Sequence, residues 1–168
     1  TTLNGADNDT APVPASNIVS CGSGFVVATD IVMPFADANY PERFEGMLVR
    51  LPQELVIAEY FNYDQFGDIV LALPLPGETR PFTGTAIDAP GAPANARTLA
   101  NSLRRITLDD AQSGQNPSTL RHPNGDPFSL TNRFRGGDKV QNTMGILGFD
   151  VSKYRIIPTG PATYIAVN

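Results

Sequence analysis

The sequence predicts a mainly β domain with one short helix and long loop insertions. Three observations carry this prediction. Short runs of apolar and β-branched residues recur along the chain and end at Gly, Pro or Asn. Glycine and proline number 15 each among 168 residues, which is high for a helical bundle and too low for a disordered chain. Apolar residues at helical spacing occur in only one stretch, which begins near residue 93.

The predicted strands lie between turn-rich segments and proline stops. We interpret residues 1–39 as an extended lead-in with one or two short strands, and residues 40–168 as the barrel domain. Within the barrel domain, the expected strands are 44–51, 54–63, 67–75, 104–110, 143–150, 151–159 and 163–167. The second and third are separated by a short polar break, which predicts an antiparallel hairpin.

One helix is predicted between the third strand and the later ones. Pro93 suits a first turn, and Ala96, Leu99, Ala100 and Leu103 then fall at i, i+3, i+4 and i+7. Three strands, a helix and further strands follow the order of an OB-fold, a small, partly open Greek-key barrel. A β-sandwich would have a similar number of strands but would not need the helix.

The charge is distributed unevenly along the chain. The formal net charge is −5, which argues weakly against a polyanionic partner. Residues 1–88 hold 12 acids and 3 bases, whereas residues 89–168 hold 5 acids and 9 bases. Ten of the 12 bases are Arg, which binds phosphate in a bidentate fork and stacks on bases. The second half therefore favours a basic surface.

The ends, the cysteine and the hydropathy restrict the class of protein. The chain starts with Thr-Thr and shows no signal-peptide pattern, so we expect a segment of a longer protein. Cys21 stands alone, which excludes an internal disulfide and a Cys-based zinc site. We interpret Cys21 as a small side chain with no chemical role. The alternative is an intermolecular disulfide bridge. No transmembrane helix is predicted, since no run of about 18 apolar residues exists.

No catalytic or metal-binding constellation is found in the sequence. The single histidine, His122, lies among Pro and Gly and is interpreted as an ordinary surface loop residue. The pair Asp109 and Asp110 is interpreted as solvated carboxylates at a strand exit. The Asp7-Asn8-Asp9 triplet lacks the glycine and the distal Glu of a calcium loop, so we interpret it as a turn. We therefore predict no catalytic residue, no metal ligand and no cofactor in this segment, which is not expected to be an enzyme.

Aromatic and basic residues form the candidate nucleic-acid site. OB-folds bind single strands with stacking aromatics and basic side chains. Acidic residues beside the hairpin would repel phosphate, and packing inside the hairpin would bury some of the aromatic rings. We therefore do not expect all of the aromatic residues to contact a nucleic acid. If Arg104 and Arg105 lie in a strand, they point to opposite faces, so at most one of them lies on a given surface. The candidate residues are Tyr60, Phe61, Tyr63, Arg104, Arg105, Arg121, Arg133, Arg135 and Lys139.

Three segments carry a resemblance to a known family. Residues 42–72, 89–117 and 133–159 resemble the OB-like domain of large extracellular nucleases of Gram-negative bacteria, the ExeM/NucH type. The E-G-M-L-V spacing at 45–49 and the E-x-x-N-Y-x-x-F-G spacing at 59–67 are its most specific features.

The resemblance implies an accessory module of a secreted bacterial nuclease. In that family the module lies upstream of an endonuclease/exonuclease/phosphatase domain, which would hold the divalent metal. The implied partners are DNA, including single strands, and the catalytic domain of the same polypeptide. Two alternatives stay open: a structural module that packs against the catalytic domain and has no ligand of its own, and a carbohydrate-binding barrel.

Overall fold

The computed structural model describes residues 16, 19, 22–112 and 114–167. Within this part of the chain, nine strands form one curled sheet, a half-barrel, with three α-helices beside it, so the predicted mainly β class is confirmed. None of the described helices is long and apolar enough to cross a membrane. The interpretations of Cys21 and of the Asp7-Asn8-Asp9 triplet lie outside the described residues.

The elements follow one another with short strands and long connections. A 3-10 helix covers Tyr40–Phe44, and the α-helices are α1 (Tyr63–Phe66), α2 (Gly84–Ile87) and α3 (Ala92–Ser102). The strands are β1 (Thr29–Asp30), β2 (Leu48–Leu51), β3 (Leu55–Glu59), β4 (Ile69–Ala72), β5 (Arg105–Leu108), β6 (Lys139–Gln141), β7 (Thr143–Asp150), β8 (Lys153–Pro158) and β9 (Thr163–Ile165). Strand β6 lies outside the strands that the sequence predicted.

The sheet order separates two strands that are neighbours in sequence. The order is β1-β2-β7-β8-β5-β4-β3-β6-β9. The predicted hairpin of β3 and β4 is confirmed, with Ile57 opposite Leu71. Strand β2 pairs with β1 and β7 and not with β3, so β2, β3 and β4 do not form a meander. Pro52 explains the break, because it has no backbone N–H to donate to a ladder.

Helix α3 is confirmed, but its apolar stripe does not face the core. Leu99 is 64% exposed, and Ala96 and Ala100 are also exposed, whereas Ala94 is buried. A Cβ on Gly84 would overlap the carbonyl oxygen of Ala94, so helix α2 approaches α3 through a glycine on that side. This close approach fixes the face that α3 turns inward.

The core lies inside the curled sheet and continues into the predicted lead-in. Ile31, Met33 and Phe35 are buried in the same cluster as strand residues such as Leu51 and Leu147. Burial of such side chains contributes roughly 1.5–3 kcal/mol each. The lead-in therefore supplies part of the core, and the domain boundary at residue 39 stays a prediction.

The turn between β7 and β8 holds two residues in the left-handed region. Asp150 pairs with Lys153, and between them Val151 and Ser152 have φ angles of 48° and 59°. Two positive φ angles in a two-residue hairpin define a type I′ turn, which favours Asn-Gly. A β-branched residue is especially unfavourable there.

Replacing this turn by Asn-Gly is expected to stabilise the protein. The double substitution Val151→Asn and Ser152→Gly should raise the free energy of unfolding by about 1–2 kcal/mol, because it removes two strained backbones. Urea denaturation followed by circular dichroism measures the change. The control Val151→Thr keeps the β-branch and should give no gain; equal stability of both variants and wild type would contradict the prediction.

Candidate nucleic-acid interface

Two aromatic side chains are exposed directly after β3. Tyr60 is 47% exposed and Phe61 is 86% exposed. The ring of Tyr60 stands edge-on against the buried ring of Phe134, with 5.6 Å between centroids. The contact with Phe134 therefore holds the Tyr60 ring in place, while the Phe61 side chain extends into solvent. Exposed rings held in this way offer faces on which nucleobases stack.

A glycine brings Arg80 to the loop that carries Arg135. Gly136 follows Arg135, and its missing Cβ would lie 3.0 Å from Nη1 of Arg80 and 3.6 Å from Cε1 of Tyr60. The guanidinium of Arg80, the ring of Tyr60 and the backbone next to Arg135 therefore meet. We call Tyr60, Phe61, Arg80 and Arg135 the aromatic-basic patch. Arg80 was not predicted, because it lies in a proline-rich loop far from the other bases in sequence.

A buried carboxylate fixes the loop that carries Arg135. Asp138 is buried, and its Oδ2 accepts hydrogen bonds from the Arg135 backbone N–H at 2.7 Å and the Tyr164 hydroxyl at 2.6 Å. The Tyr164 hydroxyl also donates to the carbonyl of Arg133 at 3.1 Å. The backbone is held on the inside, while the side chains of Arg133 and Arg135 are exposed.

Four exposed arginines keep their charge available. Within the described ranges, Arg80, Arg121, Arg133 and Arg135 make no ion pair within 4.0 Å. Two other candidates are paired at the surface. Arg105 contacts Glu59 at 2.8 Å, and Lys139 contacts Glu54 at 2.6 Å. Exposed pairs of this kind are weak, so a phosphate can compete for them.

The predicted opposite orientation of Arg104 and Arg105 is confirmed. Arg105 is exposed, whereas Arg104 is 3% exposed. Nη1 of Arg104 donates to the carbonyl of Leu73 at 2.9 Å and to Glu78 at 2.7 Å. Arg104 therefore joins the loop after β4 to the end of α3, and it is not on a surface that a nucleic acid could reach.

Tyr63 is also internal and not part of the patch. It is buried, and its hydroxyl donates to the carbonyl of Arg121 at 2.9 Å. Burial, followed by the nearby charge of Asp110, raises the pKa of Tyr63. Its ring contacts Phe128 and Phe134, so it packs the long loop against the sheet. Phe61 lies in the turn after β3, whereas Tyr63 begins helix α1, and the two positions differ in exposure.

His122 is not the surface residue that the sequence predicted. It is 2% exposed, and its ring lies against Tyr164 with 4.4 Å between centroids. Nδ1 accepts a hydrogen bond from the backbone N–H of Asn124 at 3.1 Å. Burial lowers the pKa of His122, and the Asn124 contact, the Arg133 carbonyl, Asp126 and Asp138 act in the opposite direction. The Pro-Gly context predicted a turn correctly, but it did not show the aromatic rings that cover it.

The acids at the end of β5 are buried, contrary to the prediction of solvated carboxylates. Asp110 is 3% exposed, and Asp109 pairs with the guanidinium of Arg155. The same guanidinium contacts Asp68 at 3.5 Å, and burial raises the pKa of Asp68 despite the attraction of Arg155. Asp68 and Asp109 border a cavity of about 550 Å³. In the described part of the chain, no three His, Cys, Asp or Glu side chains are placed to hold a metal ion.

The basic and acidic groups thus lie in separate regions of the molecule. The aromatic-basic patch follows β3, whereas the Asp68 and Asp109 region surrounds Arg155 and would repel phosphate. No protein-family model, no curated protein and no solved structure matches the chain.

Proposed function

We propose that this protein is a non-catalytic module of a secreted nuclease that binds nucleic acid or positions the substrate. The aromatic-basic patch carries the proposal. It combines two exposed rings with two arginines whose guanidinium groups make no ion pair within 4.0 Å among the described residues. Aromatic stacking on bases and contacts with phosphates are the two interactions by which proteins bind single-stranded nucleic acid without sequence preference.

The strand connections support an OB-like barrel. If β2 and β3 are counted as halves of one bent strand that breaks at Pro52, they form the first strand of the barrel. Strands β4, β5, β7 and β8 are then its second, third, fourth and fifth strands. The sheet then runs first, second, third, fifth, fourth and back to the first. The third and fifth strands are parallel, with Thr107 opposite Arg155. This strand order favours a five-stranded Greek-key barrel, with α3 between the second and third strands and not after the third as the sequence predicted.

The position of the patch agrees with how such barrels bind. OB-folds bind oligonucleotides near the second and third strands and the loop between the first and second. In the proposed assignment, Tyr60 and Phe61 begin that loop, and Arg105 lies on the third strand. The resemblance described above supports the remaining parts of the proposal: secretion, a bacterial source, and a catalytic domain of the same polypeptide that holds the divalent metal.

Fluorescence anisotropy with labelled single- and double-stranded DNA, measured across a salt series, tests the proposal. We expect binding at low salt that weakens as salt rises, because phosphate contacts release counterions. Phe61→Ser should weaken binding to a single strand by about tenfold. Arg135→Gln should lower the salt slope by about one.

A charge-matched control separates the patch from net charge. Arg43→Gln removes one exposed positive charge in the 3-10 helix, where Arg43 lies over the Tyr40 ring. It should leave DNA affinity unchanged. Absence of binding at low salt, or equal losses in the Arg43 and Arg135 variants, would contradict the proposal. A divalent-metal nuclease assay of the same protein should show no turnover above background.

A second candidate function is packing against the catalytic domain without a ligand. The outward apolar stripe of α3 favours it, because Leu99 is exposed beside a groove of about 650 Å³ that Phe35, Leu75 and Ala100 help to line. This alternative predicts that removal of the module lowers the stability or secretion of the parent nuclease while DNA affinity stays unchanged. A drop in DNA affinity on removal would exclude it.

A further inference from the structure

A second cavity lies apart from the aromatic-basic patch. It has a volume of about 230 Å³. Five segments form its walls: the start of β4 with the residues just before it, the end of β5, the start of β7, the residues after β8, and the loop around His122. Ligand pockets for larger molecules run from roughly 300 to 1,000 Å³, so this one suits a single ring system.

Two buried side chains in the cavity wall each carry a polar atom without a well-aligned hydrogen bond. Thr143 and His122 are each 2% exposed. In the described part of the chain, Oγ1 of Thr143 has no hydrogen-bond partner, and Nε2 of His122 makes no well-aligned hydrogen bond, although the backbone of Arg133 acts on the pKa of that ring. An unsatisfied buried group costs about 1–3 kcal/mol, and native proteins retain few of them. A polar ligand in the cavity would satisfy them.

A third buried group in the wall offers acceptors only. The carboxylate of Asp110 accepts from the backbone N–H of Gln112 at 2.9 Å and from its Nε2 at 2.7 Å, one bond on each oxygen. A carboxylate has about four lone-pair sites, so each oxygen can accept one more bond. Gly67 makes room for it, because a Cβ there would overlap the Asp110 carboxylate. Two adjacent oxygens of this kind match a ligand with two adjacent N–H donors.

The remaining walls select the shape and charge of the ligand. Pro123, Pro158, Pro161 and Met144 supply apolar surfaces suited to a flat ring. Arg121 also lines the cavity, is exposed, and has no ion pair among the described residues. Its guanidinium suits an anionic group on the ligand, and a phosphate in particular.

We propose that this cavity binds the base of a guanine nucleotide, with the phosphate held by Arg121. The adjacent N1–H and N2–H donors of guanine pair with the two Asp110 oxygens, and Thr143 and His122 supply the further polar contacts. Adenine has one exocyclic amine beside a ring nitrogen that would face a carboxylate oxygen. A site built to receive particular donors rejects an analogue that lacks one of them.

Isothermal titration of the whole chain with GMP, AMP and guanosine tests this proposal. GMP should bind at least about tenfold more tightly than AMP, and guanosine should bind more weakly than GMP. Asp110→Asn should lower GMP affinity by at least about tenfold and remove the preference for GMP over AMP. Arg121→Gln should reduce GMP affinity to that of guanosine. The control Asp64→Asn, an exposed acid outside the cavity, should bind GMP as wild type does.

The outcomes that would overturn the proposal are distinct from those for the surface patch. Equal affinity for GMP and AMP, no heat at millimolar GMP, or unchanged affinity in folded Asp110→Asn would each reject it. Thr143→Val keeps the side-chain shape and provides a second test if Asp110→Asn does not fold. It should weaken GMP binding, and unchanged affinity would count against the cavity. Phe61→Ser should leave GMP binding intact, and a loss would place the nucleotide on the patch instead.

Discussion

Replacing Arg104 by glutamine is expected to lower the free energy of unfolding by about 3 kcal/mol, although Arg104 looks like a surface base in the sequence. The guanidinium contacts the carbonyl of Leu73, Glu78 and Asn101 while 3% exposed. The Arg104 hydrogen bond is also the main reason why the pKa of Glu78 is lowered. Glutamine cannot reach all three partners, so the carbonyl of Leu73 loses the Arg104 donor and the largely buried Glu78 carboxylate keeps only the Leu75 N–H and the more distant Arg97.

The neighbouring residue provides a matched control for this loss. Arg105→Gln removes the same charge from the next position of β5, where the side chain is exposed and paired with Glu59. Such pairs contribute less than about 1 kcal/mol, so this variant should stay close to wild type. Urea denaturation of both variants, followed by circular dichroism, measures the difference. Equal destabilisation of the two variants would show that burial does not decide the role of Arg104.

Local sequence signals predicted the elements well. Strand β7 covers Thr143–Asp150, the range that was predicted from its apolar run, and helix α3 includes Pro93 in its first turn as expected. These elements depend on turn residues and apolar spacing within the segment itself. Arg104 and Arg105 differ in exposure as predicted, although β5 begins at Arg105 and leaves Arg104 in the turn before the strand.

Contacts between distant segments explain the features that the sequence did not predict. The separation of β2 from β3 depends on the pairing of β2 with β7, about a hundred residues further along. The inward face of α3 depends on Gly84, outside the helix. His122 is covered by Phe134 and Tyr164, and Arg80 joins Tyr60 across Gly136. Periodicity within one segment carries no information about these partners.

The region around Arg155 leads to the second large expected effect. The guanidinium contacts Asp68 and Asp109, and all three side chains are largely buried. Arg155→Met keeps much of the volume but leaves two carboxylates without their cation, so we expect a loss of about 3 kcal/mol at pH 7. The control Arg133→Met removes an exposed charge that makes no ion pair among the described residues and should cost less than about 0.5 kcal/mol.

The stability that Arg155→Met loses should depend on pH, and the buried Asp68 determines the direction of that dependence. Burial already raises the folded-state pKa of Asp68 above its ordinary value, and Arg155 opposes that rise. Without Arg155 the folded-state pKa rises further, so the folded protein binds more protons than the unfolded chain as pH increases above about 4. Stability of the variant should therefore fall as pH rises through that window, with a smaller deficit at pH 4.5 than at pH 7. Adding Asp68→Asn should recover part of the loss at pH 7, because it removes one uncompensated charge. A deficit that is the same at both pH values, and is not relieved by Asp68→Asn, would mean that Arg155 acts through packing alone.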